Sequence, residues 1–182
     1  MSLEEKTDWH EILQKELERL SIGQMVFNSP MKMKQGIKER VTLRISRDLN
    51  SDITVALKGN GIPYVEKIEI YELMKVCLTG ENFYIYPLSE EEQIIGKKGY
   101  AEWAWDILPE KFGKLILHLK ITLRIRLPYG EELKDHPIIE KEITVKINPI
   151  YCVKIFVTKN WKWIITALIV PIIGWSLKMI LK

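Results

Sequence analysis

Six residues able to hold an anion or move a proton recur along one stretch, KLILHLKITLRIRL: Lys114, His118, Lys120, Thr122, Arg124 and Arg126. Successive side chains of an extended strand point to opposite faces, so these even-numbered residues share one face. A basic stripe of this kind can attract phosphate or nucleic acid. A second reading competes with it. If the segments flanking residues 128–137 form a hairpin, a natural register sets Arg126 opposite Glu140, Arg124 opposite Glu142 and Thr122 opposite Thr144. The same register sets Leu123 opposite Ile143, Ile121 opposite Val145 and Leu119 opposite Ile147. Cross-strand ion pairs and one consistent apolar face emerge together. The stripe is therefore expected to be a paired structural face.

Other chemistry finds little purchase. His10, His118 and His136 stand at no metal-ligand spacing with another His, Cys or carboxylate. Cys77 and Cys152 are too few for a disulfide framework and read as reduced thiols of a cytosolic domain. No nucleophile elbow, Walker loop or zinc-protease motif occurs. The GNG of residues 59–61 reads as a turn, because no helical pattern follows it. A net charge of +3 disfavours a nucleic-acid partner, which would demand a stronger basic excess. No cofactor, metal or catalytic group is expected.

The elements that would position these residues are mostly strands. Leu115, Leu117, Leu119, Ile121, Leu123, Ile125 and Leu127 alternate strictly with the polar set, predicting a strand about 45 Å long. Val41, Leu43 and Ile45 alternate similarly, as do Met74, Val76 and Leu78 before Gly80. ITVAL (53–57), FYIYPL (83–88), QII (93–95) and IYCVKIFV (150–157) are further strand candidates, and Ile143, Val145 and Ile147 continue the pattern after a 128–137 loop. In WAWDILPEKFG, Trp103 and Trp105 fall on one strand face, Pro109 ends that strand and Gly113 opens the next. Roughly seven to nine strands with short turns predict an antiparallel, immunoglobulin-like β-sandwich, with an antiparallel barrel as the alternative.

Both ends differ from this middle. Residues 7–22 predict an amphipathic helix, N-capped by Asp8 with Glu11 at capping-box spacing. Its stripe carries Trp9, Ile12, Leu13, Leu17 and Leu20. It can pack on the sandwich or offer Trp9, Leu13 and Leu17 to a partner. At the other end, Trp163 to Leu181 holds a single charge, Lys178. As a helix this run is about 28 Å long, close to the ~30 Å hydrocarbon core. Trp161, Trp163 and Trp175 mark the two interfaces, Lys178 can snorkel, and Pro171 and Gly174 belong to a small-residue strip. A transmembrane helix is expected, giving a helix at 1–23, a sandwich at 24–158 and a membrane segment at 159–182.

Four motifs together resemble a bacterial module: NSPMKMKQG (28–36), EEQII (91–95), WAWDILPEKFG (103–113) and NWKWI (160–164). The chain is similar to the C-terminal, immunoglobulin-like modules of conflict and defence proteins that carry caspase-like, TIR or NTPase domains. That resemblance implies a sandwich followed by a membrane segment, and it brings no catalytic residues.

The resulting expectation is a non-enzymatic, tail-anchored protein at the inner membrane, its sandwich in the cytosol because MSLEEKTDWHE is no secretory signal. The sandwich would bind a protein partner encoded nearby, or further copies of itself. The alternative is a membrane-disrupting effector of an antiviral defence system. A nucleotide sensor using Lys120, Arg124 and Arg126 is a third reading, without support beyond the stripe.

Overall fold

A computed structural model describes residues 3–128, 130–169, 171–172 and 176. The chain divides into two units, residues 1–146 and 147–182.

The alternating segments of the first unit form two sheets. Sheet I contains β1 (Ser21–Asn28), β3 (Glu39–Ser46), β4 (Tyr64–Ile70), β6 (Phe83–Pro87) and β8 (Ala101–Pro109), in the order β4-β1-β3-β8-β6. Sheet II contains β2 (Lys32–Lys34), β5 (Leu73–Gly80), β7 (Glu92–Ile94), β9 (Gly113–Leu127), β10 (Gly130–Asp135) and β11 (Ile139–Lys146). Its order is β2-β11-β9-β5-β7, with β10 also on β9. Pairing is antiparallel except between β2 and β11. That exception arises where NSP, residues 28–30, carries the chain out of sheet I; Pro30 has no N–H to give to either ladder.

The inner faces meet in one core. All seven odd-numbered apolar residues of β9 are buried, as are Val41, Leu43 and Ile45 of β3. Trp103 and Trp105 are buried together on β8, and the Trp103 indole donates to Glu91 O at 2.9 Å. Each fully buried Leu or Ile contributes about 1.5–3 kcal/mol, so this face dominates the energetics. The predicted two-layer, mainly β architecture is present.

β9 also settles the register of its neighbours, and it is not the expected one. The predicted 128–137 loop instead contains β10, which pairs Arg126 with Glu131, Arg124 with Leu133 and Thr122 with Asp135. β11 then pairs Ile139 with Leu119 and Glu140 with His118. Between the two ladders, residues 136–138 oppose only residues 120–121, a bulge with one extra residue. It reverses the side-chain phase, so Asp135 and Glu140 both face outward while Ile143 and Val145 face the core.

Two other expected strands are not strands. In ITVAL, the Asp52 carboxylate accepts from the Thr54 N–H at 2.9 Å and from its hydroxyl at 2.5 Å, starting a turn. Ala56 follows with φ 54°. The segment belongs to a loop, residues 47–63, whose ITVAL stretch is held by an arginine on β3. Arg44, with only 5% of its side chain exposed, donates Nε to Glu102 at 2.6 Å. It also donates Nη1 to Ile53 O at 3.1 Å and Val55 O at 2.6 Å, and Nη2 to Ala56 O at 3.3 Å. The Tyr100 ring lies 4.5 Å from the guanidinium carbon. Asn28 and Thr42 both donate to Lys58 O at 3.1 Å, and Gln24 donates to Asp48 O and Ser51 O, each at 2.7 Å. These bonds outweigh the β-propensity of the run.

IYCVKIFV is the other correction. It lies in helix α2 (Pro149–Ile164), because Pro149 at the first helical position presets φ and Asn148 accepts the Cys152 N–H at 3.0 Å. α2 kinks at Asn160 (φ −115°, ψ 16°) and passes into a π-helical segment, Ile165–Ile169. No helix among the described residues is long and apolar enough to cross a membrane. The transmembrane helix expected from the sequence is thereby overturned: at the start of the expected span the α-helix gives way to the π-helical segment, and residues 170, 173–175 and 177–182 lie outside the described residues. Of the residues expected to anchor that span, Trp161, Trp163 and Pro171 are exposed, while Gly174, Trp175 and Lys178 lie outside the described residues.

The N-terminal helix α1 (Leu3–Glu18) begins earlier than predicted and ends before β1 takes over at Ser21. Ile12, Leu13 and Leu20 pack against the core. Tyr71 donates its hydroxyl to Glu16 at 2.7 Å, and burial with that carboxylate pushes the phenol up to about 12.

Replacing Arg44 by Met strips three loop carbonyls of their donor and unpairs Glu102. Urea unfolding should then show a loss of about 3–5 kcal/mol. Arg44→Lys keeps charge but not the planar fork; it should be milder and should speed proteolysis within residues 47–63. Wild-type stability in Arg44→Met would contradict this role.

Candidate interaction faces

The basic stripe of β9 does face outward from sheet II, but most of its members have a carboxylate beside them. Lys120 reaches Asp135 at 2.9 Å, His118 reaches Glu140 at 3.4 Å and Lys114 reaches Glu142 at 3.0 Å. Arg124 sits between Glu92 of β7 and Glu131 of β10, and Lys75 reaches Glu91 at 3.2 Å. The Thr122 hydroxyl donates to Asp135 at 2.6 Å. The paired face expected from the sequence is present, built with different carboxylates because the bulge resets the register. Arg126 is exposed at the edge of this mosaic, opposite Glu131.

A shallow basin of about 330 Å³ opens here, lined in part by Lys75, Cys77, Glu92, Lys120, Arg124 and Leu133. An anion entering it would have to displace the carboxylates already there. Burial, then Glu91, pushes the Cys77 thiol up, so the basin does not activate it as a nucleophile. Among the described residues, no three His, Cys, Asp or Glu side chains converge as a metal site.

The helical candidates separate. Leu13 is half-buried against the core, Leu17 is exposed, and the Trp9 side chain lies outside the described residues. Leu13 therefore helps to hold α1 to the sandwich.

Sheet I presents a surface that the sequence reading passed over. The 47–63 loop covers part of its outer side. Beyond it, Tyr84, Tyr86 and Leu88 stand at i, i+2 and i+4 at the β6 edge, with exposures of 53%, 46% and 50%. Lys38 lies 4.9 Å from the Tyr86 ring centroid and 3.7 Å from Asp106, which also accepts from Arg40 at 2.7 Å. β6 ends the sheet. Leu88 donates its N–H to Ala104 O and Glu110 donates to Asn82 O, so even-numbered residues bond to β8. By alternation, main-chain groups of Phe83, Ile85 and Pro87 point the other way. The signal was present in FYIYPL, where large side chains occupy both phases: Phe83 and Ile85 serve the core and the other phase remains outside.

Acid should loosen the outer face of sheet II. Thr122 and Lys120 hold the Asp135 carboxyl below its ordinary 3.8, and Arg124 holds Glu131 below its ordinary 4.5. Depressed folded-state values stabilise the native state above the unfolded values and cease to do so as pH falls through the folded ones. Thermal melting should decline with acidification from about pH 4.5 downward. Asp135→Asn should flatten that decline; an unchanged pH profile in this variant would remove the paired face from the account.

No family model matches the chain, and no curated protein matches it. Among solved structures, it is similar to domains 4 and 5 of the S-layer protein SbsC, at 10% identity and a TM-score of 0.38, over 69% of this chain and 46% of that one. It is also similar to a cohesin module from a family 33 glycoside hydrolase of Clostridium perfringens, at 12% identity and a TM-score of 0.37, over 70% of this chain and 99% of that one. The chain thus spans less than half the length of the S-layer pair. At these scores the assignment as a β-sandwich rests on the strand order of the chain itself.

Proposed function

We propose that the protein is a non-enzymatic interaction module whose sandwich docks a protein partner along the β6 edge. The observation that carries this reading is the column of Tyr84, Tyr86 and Leu88 on a sheet-ending strand. Exposed tyrosines supply large contact area with few rotatable bonds, and interfaces are enriched in them. An edge strand adds main-chain groups that an extended partner segment can pair with. Lys38, Arg40 and Asp106 give the column a polar rim.

Further copies of the chain are the second occupant to test. Placement at the inner face of a cytoplasmic membrane belongs to the same proposal, supported by the apolar C-terminal sequence. The defence effector implied by the motif resemblance would add membrane damage; the exposed apolar side chains of α2 favour it. Growth arrest with dye uptake on induced expression would separate it from a docking module.

A photocrosslinking amino acid at position 86, introduced into the full chain in cells, tests the docking face. One discrete protein adduct is expected, lost when Tyr84 and Leu88 are changed to Asp. A label at position 114, on the paired face, should give none. No adduct from position 86, or equal adducts from both, would end the proposal. A self-adduct would identify the partner as a second copy.

A further inference from the structure

Helix α2 buries none of its side chains, although it is rich in large apolar residues. Ile150, Val153, Phe156 and Trp163 are between 56% and 81% exposed. Their distribution is one-sided. Before the kink at Asn160, at about 100° per residue, Ile150, Val153, Phe156 and Val157 fall on one arc, and Lys154, Thr158 and Lys159 on the other, which also carries Tyr151 and Ile155. Beyond the kink, Ile164 lies across the helix from Lys162. The charge is one-sided in sign as well. From Ile143 to Lys182 the sequence contains six lysines and no Asp, Glu or Arg.

Three polar side chains along this stretch bond back to the helix. Asn160, at the kink, donates Nδ2 to Phe156 O at 2.9 Å. Thr158 donates to Lys154 O and Ile155 O, each at 3.0 Å, and Thr166 donates to Lys162 O at 2.9 Å. Such back-bonding satisfies side chains without water, as an apolar medium requires.

We propose that α2 lies in the plane of an anionic lipid surface. Lys154, Lys159 and Lys162 face the headgroups, and Val153, Phe156, Val157 and Ile164 enter the acyl boundary. The argument for lipid is charge complementarity: an acid-free, lysine-bearing side opposite an apolar one matches a negatively charged interface. In-plane seating keeps all three lysines at headgroup depth, whereas crossing the bilayer would carry some of them into hydrocarbon. The inference deepens the reading that a membrane is a partner, and it does not depend on docking at β6.

The test uses the full chain with Cys77 and Cys152 changed to Ser, and single cysteines introduced along residues 150–164 to carry an environment-sensitive dye. With phosphatidylcholine–phosphatidylglycerol vesicles, the blue shift should oscillate with a period of roughly 3.6 residues at constant mean depth. Lys154→Gln with Lys162→Gln should weaken vesicle binding about 25-fold while leaving sandwich melting and the position-86 crosslink unchanged. Equal binding to pure phosphatidylcholine would defeat the charge argument. Depth that increases steadily along the helix would mean insertion across the bilayer and would defeat the in-plane geometry. Dye burial without vesicles, accompanied by self-association, would show that a second copy covers the arc and would overturn the proposal.

Discussion

Everything in the sandwich is keyed to the burial of one face of β9. Seven large apolar side chains on alternate residues leave that strand a single acceptable orientation. A slip of one residue would drive lysine and arginine into the core. β5 on one edge, and β10 then β11 on the other, must therefore meet β9 in fixed register. The bulge at residues 136–138 is the adjustment that lets two segments of different phase share that edge. Its His136 N–H still finds Ile121 O at 2.9 Å, so the detour leaves that ladder donor satisfied.

The outer faces follow from the same alternation with opposite electrostatic results. On sheet II, the polar phase of β9 meets acidic residues from β7, β10 and β11, and the basic stripe becomes a neutral mosaic. Exposed pairs of this kind contribute little each; their value is in register, because each like-charge misalignment is penalised. On sheet I, the 47–63 loop hides Arg44 while the β6 end remains uncovered. One domain thus has a face that answers its own charges and another whose large side chains meet solvent.

Legibility in the sequence tracked how local the physics was. β9, β3, β5 and the Trp103 strand were readable because period-two alternation is a property of the segment alone. ITVAL misled because its fate is set by Arg44, nine residues before Ile53 and bonded through carbonyls that no side-chain pattern reveals. The hairpin misled because a bulge erases the parity on which register arguments depend. IYCVKIFV looks like a strand by composition, yet Pro149 just before it is a residue suited to open a helix. Hydropathy alone makes the tail a span, and it is blind to the π-helical segment at Ile165–Ile169. The β6 column escapes sequence reasoning because an apolar run on both phases reads as ordinary strand, and nothing within the segment tells which phase the second sheet covers.

The glycines of KGNGIP have a meaning that reaches past turn geometry. Gly59 has φ +119°, and a Cβ there would stand 2.9 Å from Arg40 O and from Asn28 Nδ2. A Cβ at Gly61 would collide with Ser29 O and Asn28 Oδ1. The loop is therefore seated on Asn28 without room for any side chain, and Asn28 returns a hydrogen bond to Lys58 O. Across lineages, Asn28, Gly59 and Gly61 should behave as one inherited character. A lineage that loses one member is released from keeping the others at this seat, while Arg44 still holds the loop at residues 53–56.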